Sequence, residues 1–425
     1  MSQPTRILIA LLLGLLAGSF AAGAGGFWQG GAVAAGEAIG GLWLDALRMT
    51  IVPLVVSLLI TGIAESAKAA RAGGLAARAV VVFIILLWVS AGLAALLTPA
   101  LLSLVPLPTA AAAALREALA GTEPVPDVPG FAEFVRSLVP TNPIAAAAED
   151  QMLPLIFFTT LFAFALTRLP PEPRERLVGL FRAVADVMLV LIGWVLFVAP
   201  LGVFALAYVL AAKAGAAAFG ALAHYVLIVT SVGTVVFLLA YGVAMLGGGL
   251  RLGRFARGVA PSQAVAISTQ SSLASLPAML RSAETLGVPV TASGVVLPLA
   301  VAIFRVTGPA MNLAVVLYVA HWFGIELGPA QLLAATAAAA ITTLGAVSLP
   351  GQISFVTSIA PIAMAAGVPV EPLLLLIAVE NIPDIMRTLG NVTMNVAVTK
   401  AVARHSGFEA AEASTREDQL LQGTP

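Results

Sequence analysis

The chain has 425 residues, 60% hydrophobic and only 10% charged, with 21 basic and 21 acidic residues and a formal net charge of zero. A water-soluble domain averages about 45–50% apolar and about 25% charged residues. A soluble enzyme, a disordered chain and a nucleic-acid binder are therefore excluded, and zero net charge removes general steering of anionic polymers. With no cysteine there is no disulfide scaffold, thiolate metal site or cysteine nucleophile. The useful unit of length is a membrane span of about 20 residues.

Apolar runs recur from end to end. The first, Ile7–Ala22, follows Arg6 and has the outline of a signal peptide, but the many spans after it favour a first membrane helix. Then come Ile39–Ile63, Ala79–Val105, Gln151–Leu166, Leu177–Ala212, Ala216–Leu246, Val295–Phe323, Leu332–Ala366 and Pro372–Val402. Several exceed the length of a straight span, which predicts tilted or in-plane segments. Pro106–Gly130 reads as an extramembrane linker, and His405–Pro425 as a polar, disordered tail. Basic residues cluster in alternate loops: Lys68, Arg71 and Arg78; Arg168, Arg174, Arg176 and Arg182; Arg251, Arg254 and Arg257; Lys400 and Arg404. The positive-inside tendency places these loops and both termini in the cytoplasm of a bacterial-type inner membrane.

One internal repeat is visible. Ser275-Leu276-Pro277 precedes Gly287-Val288-Pro289-Val290, and Ser348-Leu349-Pro350 precedes Gly367-Val368-Pro369-Val370. Paired apolar segments interrupted by Gly and Pro mark broken helices at a transporter's substrate site. Their helix ends offer N–H donors to anions.

Four ionisable residues lie inside the last apolar third: Arg305, Glu380, Asp384 and Arg387. Each costs about 2.5–3.5 kcal/mol on insertion scales, so function is the default reading. Glu380, Asp384, Arg387, Thr388, Asn391 and Asn395 fall within an arc of roughly 100° on one helix face. Such a stripe faces protein or water; the competing reading is glue between helices. Arg387 suits bidentate recognition of a substrate carboxylate. Asp384, one turn away, suits an ammonium, unless it only pairs with Arg387 at helical spacing. The three histidines show no metal-ligand spacing. Gly14, Gly18, Gly247, Gly248 and Gly249 read as packing or turn residues, and no phosphate-binding loop of an ATP-driven pump occurs.

These residues resemble the dicarboxylate/amino acid:cation symporters, which include the glutamate transporters. Val139-Pro140-Thr141-Asn142-Pro143 with Leu153-Pro154-Leu155-Ile156-Phe157-Phe158 is similar to the family's fourth-helix signature, and Ala199-Pro200-Leu201-Gly202 to its fifth. Asp384-Ile385-Met386-Arg387-Thr388 through Asn391-Val392-Thr393 is similar to its last-helix run D-x-x-R-T-x-x-N-V-T, while Ser271-Ser272 and Pro350-Gly351 resemble its two hairpin tips. The resemblance implies an all-α integral membrane protein with eight transmembrane helices, two re-entrant hairpins and inverted repeats. It also implies a homotrimer working by an elevator mechanism. Residues 1–74 and 106–213 would form linker and scaffold, 75–105 and 214–402 the moving transport part, and 403–425 a tail. Carried over, Arg387 would bind the substrate's distal carboxylate and Asp384 its amino group. Asn391, Ser271, Ser272, Pro350 and Gly351 would hold the main carboxylate, with Thr388 assisting.

The departures lie at the cation sites. The family's N-M-D-G-T motif falls on Phe304-Arg305-Val306-Thr307-Gly308, its last-helix Asp on Asn395, and its third-helix oxygen ligands on Val82-Phe83-Ile84-Ile85-Leu86. Hard cations need several oxygens, usually with carboxylate charge, so the sodium sites read as dismantled. Arg305 is then expected to supply permanently the positive charge that sodium supplies elsewhere. Glu380 is expected either to pair with Arg305 or to carry a proton. No cofactor or metal is expected, and the partners are a small acidic solute, the lipid bilayer and further copies of the chain. The sequence thus reads as a secondary transporter of acidic amino acids or C4-dicarboxylates. If Arg305 ties up Asp384, a plain dicarboxylate is the substrate; the alternatives are a non-transporting receptor or an anion-conducting pore on the same fold.

Overall fold

The computed structural model describes residues 3–24, 28, 30–71, 73–106, 136, 139–149, 151–214, 217–345 and 351–406. The expected linker beyond Pro106 and the tail beyond Ser406 lie outside these residues. In chain order the helices are α1 (Gln3–Ala24), α2 (Gly31–Arg48), α3 (Ile51–Arg71), α4 (Gly74–Leu104), α5 (Pro143–Ala148), α6 (Met152–Leu166), α7 (Pro171–Phe197), α8 (Ala199–Ala214) and α9 (Ala217–Leu246). There follow α10 (Leu252–Thr269), α11 (Leu276–Thr285), α12 (Val290–Ile303), α13 (Thr307–Phe323), α14 (Pro329–Thr342), α15 (Gly351–Ala366), α16 (Glu371–Leu376) and α17 (Asn381–His405). Among the described residues five segments are long and apolar enough to cross a membrane: Ile51–Lys68, Gly74–Leu104, Pro171–Phe197, Gly220–Leu246 and the broken Val290–Phe323. Many large apolar side chains on them point outward, among them Leu96, Trp194 and Leu246. The chain is a multi-pass membrane protein.

The longest apolar runs do not fold as single helices. Ile39–Ile63 divides between α2 and α3, and Leu177–Ala212 between α7 and α8 just before Pro200. Two divisions bear on the site. Pro309 lies in the first turn of α13, and a helix continued upstream would drive its ring into the carbonyl of Arg305, so α12 ends and residues 304–306 leave the helix. Pro383, in the first turn of α17, has the same relation to Val379, and residues 377–380 form the turn that separates α16 from α17. The partly buried Arg305 and the buried Glu380 sit in these two breaks.

The sequence repeat is also a structural repeat. In each copy two helices pack on each other, α10 with α11 and α14 with α15, and another helix follows. Each pair ends on the glycine of Gly-Val-Pro-Val in the left-handed region, Gly287 at φ 74° and Gly367 at φ 70°. The next amide reaches back five residues in both, Val288 N–H to the Ala283 carbonyl at 2.9 Å and Val368 N–H to that of Ala363 at 2.8 Å. Glycine is favoured there because a side chain is strained at that φ, and the next Pro stops the helix.

Helix α1 lies along α8, which also packs on α2, while α3 packs on α6 and α7. Helix α9 runs along α17 and α13 along α4. Gly14 and Gly18 let α1 approach α8 closely, as small residues do between membrane helices. A Cβ at Gly18 would lie 2.3 Å from the Tyr208 carbonyl oxygen, whereas one at Gly23 would meet nothing within 4 Å. Gly249, at φ 66°, turns the chain after α9. Gly18→Leu is expected to destabilise the protein by at least the roughly 1–3 kcal/mol typical of overpacking. Gly23→Leu should stay near wild type, and thermal unfolding in detergent micelles distinguishes the two.

Candidate functional site

The site is built around the guanidinium of Arg387 on α17. Its Nη2 donates to Glu380 Oε1 at 2.6 Å, its Nη1 to Asn312 Oδ1 at 2.8 Å, and its Nε lies 3.4 Å from Asp384 Oδ1. Both carboxylates are buried, and Arg387 keeps only 14% of its side chain exposed. Glu380 Oε2 accepts a further bond from the Tyr225 hydroxyl at 3.2 Å, and the Tyr225 ring packs edge-on against Tyr318. Glu380 occupies the N-cap position of α17, without a side-chain capping bond, and Asp384 lies in the opening turns, at the end where the helix dipole favours negative charge.

The sequence left the partner of Glu380 open. In the structure it is Arg387, two turns along the same helix, rather than Arg305. Arg305, in the break before α13, is partly buried, and the carboxylate whose charge acts on it is Asp384. Two arginines and two carboxylates therefore interleave, with no net charge. This is the arrangement a water-poor interior demands, since an uncompensated buried ion is costly.

Backbone groups freed by the first break are taken up by side chains. Asn391 Oδ1 accepts from both the amide (3.0 Å) and the hydroxyl (2.8 Å) of Thr307, whose hydroxyl also reaches the Arg387 carbonyl at 3.0 Å. An amide N–H can only donate, so the oxygen of Asn391 must face Thr307, which turns its NH₂ away. Ser90 of α4 donates to the carbonyl of Val306. The α17 backbone comes close here because Gly390 has no side chain: a Cβ would lie 2.5 Å from Thr307 Cγ2.

Where the family's cation ligands were counted, aromatic carbon stands. Phe304 stacks on Phe83 with ring centroids 4.4 Å apart and planes 8° apart, and both rings are fully buried. Asn395 is also buried, and neither atom of its amide has a hydrogen-bond partner among the described residues. Thr388 is buried on the same helix. Ser271 and Ser272 lie in the loop joining α10 to α11. Ser271 Oγ accepts from the Ala274 amide at 3.2 Å, and Gln270 Nε2 reaches the Asn381 carbonyl at 3.4 Å, which sets this loop beside the start of α17. Pro350 lies outside the described residues, and Gly351 opens α15. Sequence reasoning missed Asn312 and Tyr225. Asn312 is a lone amide within the apolar run Val295–Phe323, a usable signal; Tyr225 had none, since a tyrosine in an apolar helix ordinarily packs or faces the interface.

Compared with known proteins, residues 4–405 match the model of the sodium:dicarboxylate symporter family. The chain belongs to that family. It is 30% identical to the proton/glutamate-aspartate symporter of Escherichia coli (strain K12), over 98% of this chain and 96% of that one. Identity is 27% to the proton/sodium-glutamate symport protein of Bacillus subtilis (strain 168), over 97% and 94%. It is 26% to C4-dicarboxylate transport protein 1 of Pseudomonas aeruginosa (strain PAO1), over 86% and 81%. The family and these relatives are membrane transporters, not enzymes, in agreement with the sequence reading. Asn391→Leu would orphan the buried Thr307 amide, and a loss of about 1–3 kcal/mol is expected; thermal unfolding without substrate measures it.

Proposed function

We propose that this symporter-family protein carries small solutes bearing two carboxylates across the inner membrane, driven by protons or by exchange and not by sodium. The observation that carries the reading is the 2.6 Å bond between Arg387 and Glu380. Glu380 holds the guanidinium edge that a substrate carboxylate would need. Ionised Glu380 and a bound anion compete for that edge; a protonated Glu380 leaves it to the substrate. Each anion that docks on Arg387 then arrives with one proton on Glu380. The site exchanges one carboxylate for another and keeps its charge balanced.

The remaining residues take the following parts. The NH₂ of Asn391 and the loop at Ser271 and Ser272 offer donors to a second carboxylate, with Gly351 at the start of α15 and Thr388 on α17 assisting; for Pro350 the family resemblance alone supports the same part. Asp384 receives the ammonium of aspartate or glutamate. Arg305 stands for the missing cation, the stacked Phe83 and Phe304 exclude one, and Asn395 provides dipoles without the charge a hard cation prefers. The broken helices flank a site that moves between the two faces with the transport part, in a homotrimer with both termini cytoplasmic. A plain C4-dicarboxylate is the second reading, favoured by the charge of Arg305 acting on Asp384, which weakens the claim of an ammonium on that carboxylate.

The test is uptake of labelled aspartate and malate into proteoliposomes, with sodium and pH gradients varied separately. An inward proton gradient should drive accumulation, and replacing sodium by choline should leave it unchanged; collapse in choline would refute the sodium-free reading. Competition between malate and aspartate decides between the two readings. Arg387→Ala should abolish uptake of both. Arg305→Met should impair transport without introducing sodium dependence, because the oxygen ligands remain absent, and a gain of such dependence would contradict the role given to Arg305.

A further inference from the structure

Away from the charged site, α4, α9 and α17 converge on a groove of about 690 Å³. Its walls are carbon throughout: Val81, Val82 and Leu86 from α4, Leu239 and Val243 from α9, and Val402 from α17. Gly242 contributes bare backbone, where a Cβ would meet nothing within 4 Å. The mouth opens sideways, next to the strongly exposed Leu246 and Val81, onto a surface that in a membrane protein faces acyl chains.

One end of the groove is polar, and all of one sign. Arg78 and His405 belong to its lining, and Arg78 Nη1 donates to the His405 carbonyl at 2.9 Å. Arg404 follows, its guanidinium laid against Gly249, and Lys400 and Arg254 come together near Gly287. None of the residues that line the groove is acidic. Its described lining thus offers basic groups and no carboxylate with which to hold a choline or ethanolamine head.

We infer that this groove is a binding site for an anionic phospholipid, one acyl chain lying between α4, α9 and α17 and the phosphate resting on Arg78 and Arg404. The apolar walls account for the tail and the basic groups Arg78 and Arg404 for the sign of the head. Basic pockets between membrane helices select anionic headgroups. The same three helices carry Ser90 and Phe83, Tyr225, and the Asp384–Arg387 pair, so a lipid seated here ties together the elements that hold the site. The inference rests on the chain's being a membrane protein and is independent of its substrate or coupling ion.

The test uses the purified full chain in detergent micelles doped with phosphatidylglycerol or with phosphatidylcholine of the same acyl chains. Native mass spectrometry reads the lipid retained, and thermal unfolding reads stabilisation. The unmodified protein should retain phosphatidylglycerol in preference by about tenfold and unfold several degrees higher with it. The double variant Arg78→Gln/Arg404→Gln should lose most of that preference. Gly242→Leu, which fills the groove and leaves the rim intact, should lower retention of both lipids. Equal retention of the two lipids by the unmodified protein overturns the inference. So does phosphatidylglycerol retention that neither variant changes, or a Gly242→Leu protein that alters its oligomeric state while retaining lipid as before.

Discussion

A guanidinium taken out of water loses hydration that only acceptors and opposite charge can replace, and Arg387 finds both within its own protein. Glu380, Asp384 and the Asn312 carbonyl surround it. Arg305, in the break before α13, brings the number of basic groups here to two, equal to the carboxylates. The contacts of Arg387 take three of its five N–H groups, and a ligand that displaced Glu380 would have to leave no bare charge behind. In the proposed mechanism Glu380 meets that condition by taking a proton. Asp384 is less suited to leave, since its charge also acts on Arg305.

The charges can meet only because two helices are interrupted. Pro309 and Pro383 each forbid the helix upstream of them, and the breaks bring Arg305 and Glu380 to the face of α17 that carries Asp384 and Arg387. In a membrane an open stretch of backbone must be satisfied by protein. Asn391, Thr307 and Ser90 do so around the first break, and Gly390 provides the close approach this requires. A side chain proposed to bind substrate therefore also has a structural duty: Asn391 anchors Thr307 with its oxygen, which leaves its NH₂ for a ligand.

Much of this was legible in the sequence. The stripe on the last span, the four ionisable residues and the duplicated Gly-Val-Pro-Val all stand out from an apolar background, and the two glycines at positive φ show that the duplication is one of backbone geometry. The pairing was not legible. Helical spacing puts Asp384 one turn from Arg387 and Glu380 two turns away, which favours Asp384, yet Glu380 takes the terminal nitrogen while Asp384 meets Nε. Nor does sequence say where the long apolar runs divide, because proline forbids a helix upstream of itself without stating what replaces it. The absence of oxygen ligands at Phe304 and Phe83 could be read directly. That the two rings stack on each other could not.

The central claim is that an anion reaches Arg387 only when a proton takes its place on Glu380. Proton movement itself tests it most directly, read with a pH-sensitive dye sealed inside sodium-free proteoliposomes as aspartate or malate is added outside. The account predicts acidification of the lumen on addition of substrate, absent from Glu380→Gln vesicles that still exchange labelled for unlabelled substrate. Substrate entry with no proton movement in the unmodified protein, or undiminished acidification in Glu380→Gln, would contradict it.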